Sequence, residues 1–245
     1  MAALIISVAS VQAQKSQVIA HRGYWKTAGS AQNSITALQK ADSIHCYGSE
    51  FDVWLTKDNK LVINHDPVYK MKYMEYSKGD ALTGLKLSNG ENLPSLQKYL
   101  EAGKKCNTKL ILKLKAHNRK KRETKAVQEI LAMVKKMGLE DRMEYITFSL
   151  HAMKEFIRLA PAGTPVFYLN GELSPKELKD LGAAGLDYHM GVIKKHPEWI
   201  KEAHDLGLKV NVWTVDKAED MKWLIDQKVD FITTNEPTVA QEILK

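Results

Sequence analysis

The residues whose types and spacing can do chemistry gather in the first quarter of the chain. His21-Arg22-Gly23 is followed by Glu50-Phe51-Asp52 and then by His65-Asp66. Together these side chains are the parts needed to cleave a phosphate ester. An arginine grips phosphate through a planar fork of donors. Histidines relay protons near neutral pH. Two spaced carboxylates can hold a divalent cation that neutralises phosphate charge. Each residue taken alone is more often a surface group or a satisfied polar one. Their joint meaning depends on elements that bring them to one place.

Those elements read as short β-rich runs alternating with longer helical runs. Strands are predicted over 17–20, 48–55 with a short partner at 61–64, 109–115, 145–148, 166–169, 186–189, 209–213 and 231–233. Helices are predicted over 33–46, 96–105, 123–137, 151–159, 174–181, 197–206, 218–227 and 237–244. Alternation of this kind argues an α/β chain with a parallel sheet. Its eight strand–helix units in 245 residues match a closed (β/α)8 TIM barrel made as a single domain. An open doubly wound sheet is the competing architecture, but the first strand is followed by one glycine, Gly23, and no G-x-G-x-x-G. Residues 66–92 are long for a loop and read as a small excursion after the second strand.

A barrel gathers its chemistry where strands end. His21 and Arg22 end the first strand, and His65-Asp66 follow the short partner strand. Glu50 and Asp52 stand at i and i+2 on the second strand, so they share one face, and Phe51 and Val53 turn toward the helices. Carboxylates facing an interior are costly unless they meet a cation. Lys113 and Lys115 form another i, i+2 pair, Trp213 ends the seventh strand, His189 ends the sixth, and Asn235 lies just past the eighth.

The formal net charge of +7 suits an anionic small molecule. The densest basic run, from Lys113 to Lys125, lacks interleaved aromatics, which argues against a nucleic-acid partner. Residues 1–13 are apolar and end in Val11-Gln12-Ala13, a small-residue cleavage pattern. They read as a truncated signal peptide, leaving a barrel domain over 14–245 in a periplasmic or secreted protein. No integral membrane segment is expected, since no apolar run is long enough to span a bilayer. Cys46 and Cys106 are expected to be free thiols.

The chain resembles the glycerophosphodiester phosphodiesterase family after residue 16. The resemblance rests on His21-Arg22-Gly23, Gln32-Asn33-Ser34, Glu50-Phe51-Asp52-Val53 with Thr56-Lys57-Asp58, and Val62-Ile63-Asn64-His65-Asp66. It continues through Ala203-His204-Asp205-Leu206-Gly207, Val212-Trp213-Thr214-Val215 and Asp230 to Pro237. It implies a barrel hydrolase of lipid metabolism that converts glycerophosphodiesters to glycerol 3-phosphate and an alcohol. In that pattern His21 and His65 are the general acid/base pair, and Arg22 and Lys115 bind phosphate. Trp213 faces the substrate, and Glu50 and Asp52 ligate a divalent cation, magnesium or calcium.

Two positions depart from the pattern. Gln32-Asn33-Ser34 stands where the family has Glu-Asn-Thr, and Lys113-Leu114-Lys115 stands where it has Glu-x-Lys. The missing glutamate is the family's third metal ligand. An ammonium there cannot ligate a cation and repels one. Three arrangements fit this change. Lys113 replaces the metal and binds substrate itself, a weak metal persists on Glu50 and Asp52, or the barrel is a catalytically silent phosphodiester-binding protein.

Overall fold

The computed structural model describes residues 15–245, so the expected signal segment lies outside the described residues. The eight parallel strands are β1 (Gln17–Ala20), β2 (Gly48–Leu55), β3 (Lys109–Leu114), β4 (Met143–Thr147), β5 (Val166–Tyr168), β6 (Gly185–His189), β7 (Lys209–Trp213) and β8 (Phe231–Thr234). Neighbours in space are neighbours in sequence. The ring closes because β1 pairs with β8, in the register Ile19↔Thr233, and also with β2, through Ile19↔Gly48 and Ala20↔Ser49. The expected (β/α)8 barrel is therefore what the chain forms.

Parallel strands wrapped by helices are buried on both faces. β2 shows this plainly, with all of Gly48–Leu55 buried. Its outward Phe51 packs on Tyr99, at 4.4 Å between ring centres. Ile19, Ile111, Ile146, Phe167 and Phe231 form one buried cluster inside the barrel, and Ile146 also lines the cavity at its open end.

The outer helices are α1 (Ile35–Ser43), α2 (Leu96–Gly103), α3 (Lys120–Met137), α4 (Leu150–Leu159), α5 (Pro175–Asp180), α6 (Glu198–Asp205), α7 (Ala218–Asp226) and α8 (Pro237–Ile243). Ser34, Ser95, Ser149 and Ser174 each accept a first-turn backbone N–H, so four helix starts are fixed by side chains. α3 begins three residues before the expected Glu123. A short helix, Met190–Lys195, follows β6 where no element was expected.

The excursion has more structure than its glycines suggested. Leu61–Ile63 adds antiparallel to the far end of β2, with Val53↔Ile63 and Leu55↔Leu61. Beyond it come a tiny hairpin, Val68–Tyr69 with Lys72–Tyr73, and a one-turn helix, Gly79–Thr83. Trp54, Val62, Met74, Leu82 and Leu93 form its own small core. Cys46 and Cys106 are free and buried, and burial pushes the Cys46 thiol up to about 12.

Candidate active site

β1 ends abruptly. After His21 the backbone turns left-handed at Arg22 (φ 58°) and Gly23 (φ 76°), then passes tightly under α1. A Cβ on Gly23 would fall 2.6 Å from the Ala37 Cβ, so only glycine allows this approach. The turn aims the Arg22 N–H at Glu50 Oε2, 2.9 Å away, while Arg22 Nη1 donates to Gln32 Oε1 at 2.6 Å. Its Nε is buried without a hydrogen-bond partner, 3.9 Å from Asp52 Oδ2. Asn33, also left-handed, clamps Asp52 twice. Its Nδ2 donates to Oδ2 at 3.0 Å, and its Oδ1 accepts the Asp52 N–H at 3.1 Å.

The charged centre lies between β2 and β3, where Asp52 is directly beside Lys113 in the register. Lys113 Nζ stands 3.0 Å from Asp52 Oδ1 and 3.6 Å from Glu50 Oε1. Lys115 Nζ reaches the same Asp52 oxygen at 3.5 Å. Burial pushes the Asp52 carboxyl up, but Lys113, Lys115 and His65 outweigh it and hold it well below the usual carboxylate range. Burial likewise opposes charge on Lys113, and Asp52 and Glu50 more than compensate, so its pKa is raised. Lys115 goes the other way, lowered by its burial. The Lys113 ammonium bridges both carboxylates and puts a positive charge between them. This donor set does not fit a divalent ion, which requires several oxygen ligands and no cation among them.

Two histidines flank this centre. His21 Nδ1 pairs with Asn235 Oδ1 at 2.9 Å. The Asn235 amide is oriented by Asp216, which takes its Nδ2–H at 2.8 Å and its backbone N–H at 2.8 Å. Its oxygen is thereby turned to His21 and also accepts Trp25 Nε1–H at 2.9 Å. His21 Nδ1 must then carry the proton, leaving Nε2 free. His65 Nδ1 is spent in the same way on Asp66 Oδ1 at 2.8 Å. Burial lowers the pKa of both rings, so both are biased toward the neutral form.

His21, Arg22, Glu50, His65, Lys113, Asp187 and Trp213 line one cavity of about 120 Å³ at the strand C-terminal end. A second cleft of about 410 Å³ shares His65 and is bordered by Trp25, Gln32, Asn64, Asp66 and Tyr69. A larger groove of about 800 Å³, bordered by Lys60, Asp80 and Lys98, lies outside the barrel and holds none of these groups.

The structure thus brings six of the eight expected residues to one cavity. Asp52 lies fully buried behind them, and Lys115 is tied back to it. Trp213 donates Nε1–H to the Asp187 carbonyl at 2.9 Å and meets Phe148 edge-on, so its ring is fixed. His189 spends its Nδ1 accepting the Gly191 N–H and so starts the short helix after β6. Asn33, Asp216 and Asn235 orient the site, and Asp187 lines it; none had been given these parts from sequence. For Asp187 a signal existed, since it shares the inward face of β6 with His189 at i, i+2.

A closed barrel whose open end brings together two histidines, an arginine and a lysine has the parts a phosphoric diester hydrolase needs. Residues 21–239 match the Glycerophosphoryl diester phosphodiesterase family, and the chain belongs to it. A glycerophosphodiester phosphodiesterase from Parabacteroides distasonis is 52% identical, with a TM-score of 0.93 over 94% of this chain and 97% of that one. The glycerophosphodiester phosphodiesterase of Caldanaerobacter subterraneus is 28% identical over 94% of this chain and 98% of its own length. A phosphodiesterase of Oleispira antarctica, solved with its product sn-glycerol-3-phosphate, shares the fold at 22% identity, with a TM-score of 0.82 over 94% and 97% of the two chains. The protein is an enzyme of this family, acting on a small-molecule phosphodiester. No described helix is long and apolar enough to cross a membrane.

Proposed function

We propose that the enzyme hydrolyses glycerophosphodiesters to glycerol 3-phosphate and an alcohol by acid/base catalysis between His21 and His65, without a divalent cation. The observation that carries this reading is the pairing of both histidines through Nδ1, which leaves two Nε2 atoms beside Arg22 in one cavity. His21 faces a neutral amide and is the more buried, so it is the better-suited base. His65 pairs with a carboxylate, which offsets part of the lowering by burial and suits it better than His21 as the acid.

In this mechanism His21 Nε2 takes the proton of the attacking hydroxyl, from water or from the substrate's own glycerol. The new P–O bond forms as the bond to the departing alcohol breaks, and His65 delivers a proton to that oxygen. Where the attacker is the glycerol hydroxyl, water opens the resulting cyclic ester with the two roles reversed. Arg22 and Lys113 bind the phosphoryl oxygens, with Lys115 reinforcing the charge from behind Asp52. Preorganised charges of this kind stabilise the transition state because they need no reorganisation during reaction. Trp213 forms an apolar wall for the glycerol carbons.

Incubation with glycerophosphocholine, glycerophosphoethanolamine and a chromogenic phosphodiester tests the reading. Release of glycerol 3-phosphate is expected. Ligand binding without turnover of any of the three would make the barrel a phosphodiester-binding protein instead. The same reading has the enzyme exported, with cleavage after Ala13, into the periplasm or medium. N-terminal sequencing of exported material should begin at Gln14, and a cytoplasmic product retaining residues 1–13 would contradict it.

A further inference from the structure

Asp187 is a cavity carboxyl that this reaction leaves without a role. It stands on β6 beside Asn211 of β7, is 1% exposed, and lines the same cavity as Arg22 and Lys113. Its Oδ1 is buried without a hydrogen-bond partner. Among the described residues no lysine, arginine or histidine lies within ion-pair distance of it, since Lys113 is committed to Asp52 and Glu50. A buried ionised carboxylate left unpaired is costly, and the ordinary resolution is that it keeps its proton.

The surrounding charges agree. Burial and the nearby Glu50 on β2 push the Asp187 carboxyl up to about 8, Glu144 on β4 adds to this, and Lys113 on β3 and the Asn211 amide on β7 offset part of it. His21 and Arg22 after β1, and His65, border the same cavity. His189, on the same strand, is turned to its own helix cap.

We propose that Asp187 is a further phosphate-binding residue, a neutral carboxyl that donates a hydrogen bond to a phosphoryl oxygen of the diester held by Arg22 and Lys113. This rests on the glycerophosphodiester reading. A protonated carboxyl adds a donor without adding charge. Ionised, it would turn a like charge toward the phosphate and oppose binding. The site therefore tolerates a third acidic residue beside Glu50 and Asp52 because this one is uncharged where it meets the anion.

Calorimetric binding of sn-glycerol 3-phosphate near pH 7.5 and near pH 9.5 tests the proposal, because the ligand is a dianion at both (second pKa about 6). Wild-type affinity should fall on the order of tenfold between them, the scale of one hydrogen bond to a charged group. Asp187→Asn keeps a donor that cannot ionise, so its affinity should fall clearly less than that of the wild type. Titration of Lys115, His21 and His65 is common to both proteins and cancels in that comparison. Asp187→Ala should lose affinity by about tenfold near pH 7.5. If it does not fold, the nearly isosteric asparagine variant decides alone. Parallel wild-type and Asp187→Asn profiles, an alanine variant that binds as tightly as wild type, or no binding by wild type would each overturn the proposal. Diester turnover measured alongside keeps the two readings apart. Wild type that binds glycerol 3-phosphate but hydrolyses nothing contradicts the hydrolase reading while still testing Asp187.

Discussion

At Lys113 one ammonium meets two buried carboxylates, and the chemistry of the site depends on that meeting. Turnover by the wild type should survive a strong chelator, because the positive charge is covalently part of the chain. Lys113→Glu should abolish that turnover and leave three acidic groups together. Calcium or magnesium should then raise its thermal midpoint but not that of the wild type. Chelator-sensitive wild-type activity restored by either ion would sink the metal-free mechanism. Lys113→Ala should cost about 3–5 kcal/mol of stability, since it strands two desolvated carboxylates. His21→Ala and His65→Ala should each slow turnover by about 10² or more while melting like the wild type, because neither opens a core cavity. A near-normal rate in either would remove that histidine from the mechanism. The chemistry-bearing residues were legible because each stands in a short recognisable word on or just past a strand. The part of Asn235 was not, since a hydrogen-bond partner 214 residues away leaves no local trace, and Asp187 left only its i, i+2 spacing from His189.

The elements were legible wherever local rules and the fold agree. The alternation of short β-rich runs with longer helical runs located most of the barrel. The short helix after β6 escaped because its cap is a histidine, a residue outside the usual capping set. The turn after β1 is the element on which the site leans most. Gly23→Ala would force a Cβ into Ala37 and impose a left-handed φ, so Arg22 should lose its aim at Glu50. Stability and phosphate affinity should fall together in calorimetry and thermal melts. At the far end of β2, buried His117 accepts the Leu55 N–H at Nε2, 3.0 Å away, and burial lowers its pKa. The folded ring therefore takes up a proton at lower pH than the unfolded one, which titrates at about 6.5. Its contribution is complete above that pH and is lost progressively below it. His117→Gln, which keeps an acceptor, should show a shallower fall of thermal midpoint between about pH 7 and about pH 5. Equal slopes would assign the acid sensitivity to His21 and His65 instead.

In the whole molecule the first strand waits for the last. β1 has four paired positions with β8 and two with β2, and α8 ties back across this seam through Gln241 Nε2–H to the Ile44 carbonyl at 2.7 Å. The backbone N–H of His21 itself binds the Thr234 carbonyl at 2.9 Å. A chain ending at Gln227 lacks β8 and Asn235, so it should show an exposed β1 edge, aggregation and no diester hydrolysis. Retained activity in that truncation would mean that the seam is dispensable. The seam also has a consequence in time. Translation delivers His21 214 residues ahead of Asn235, a delay on the order of 10–40 s at elongation rates of about 5–20 residues per second. Until residues 231–235 emerge, the nascent chain carries its histidine, arginine and carboxylates without the geometry that joins them. The site is assembled by the arrival of this strand, and ribosome-stalled chains lacking residues 228–245 should be inert toward diesters that the released protein hydrolyses.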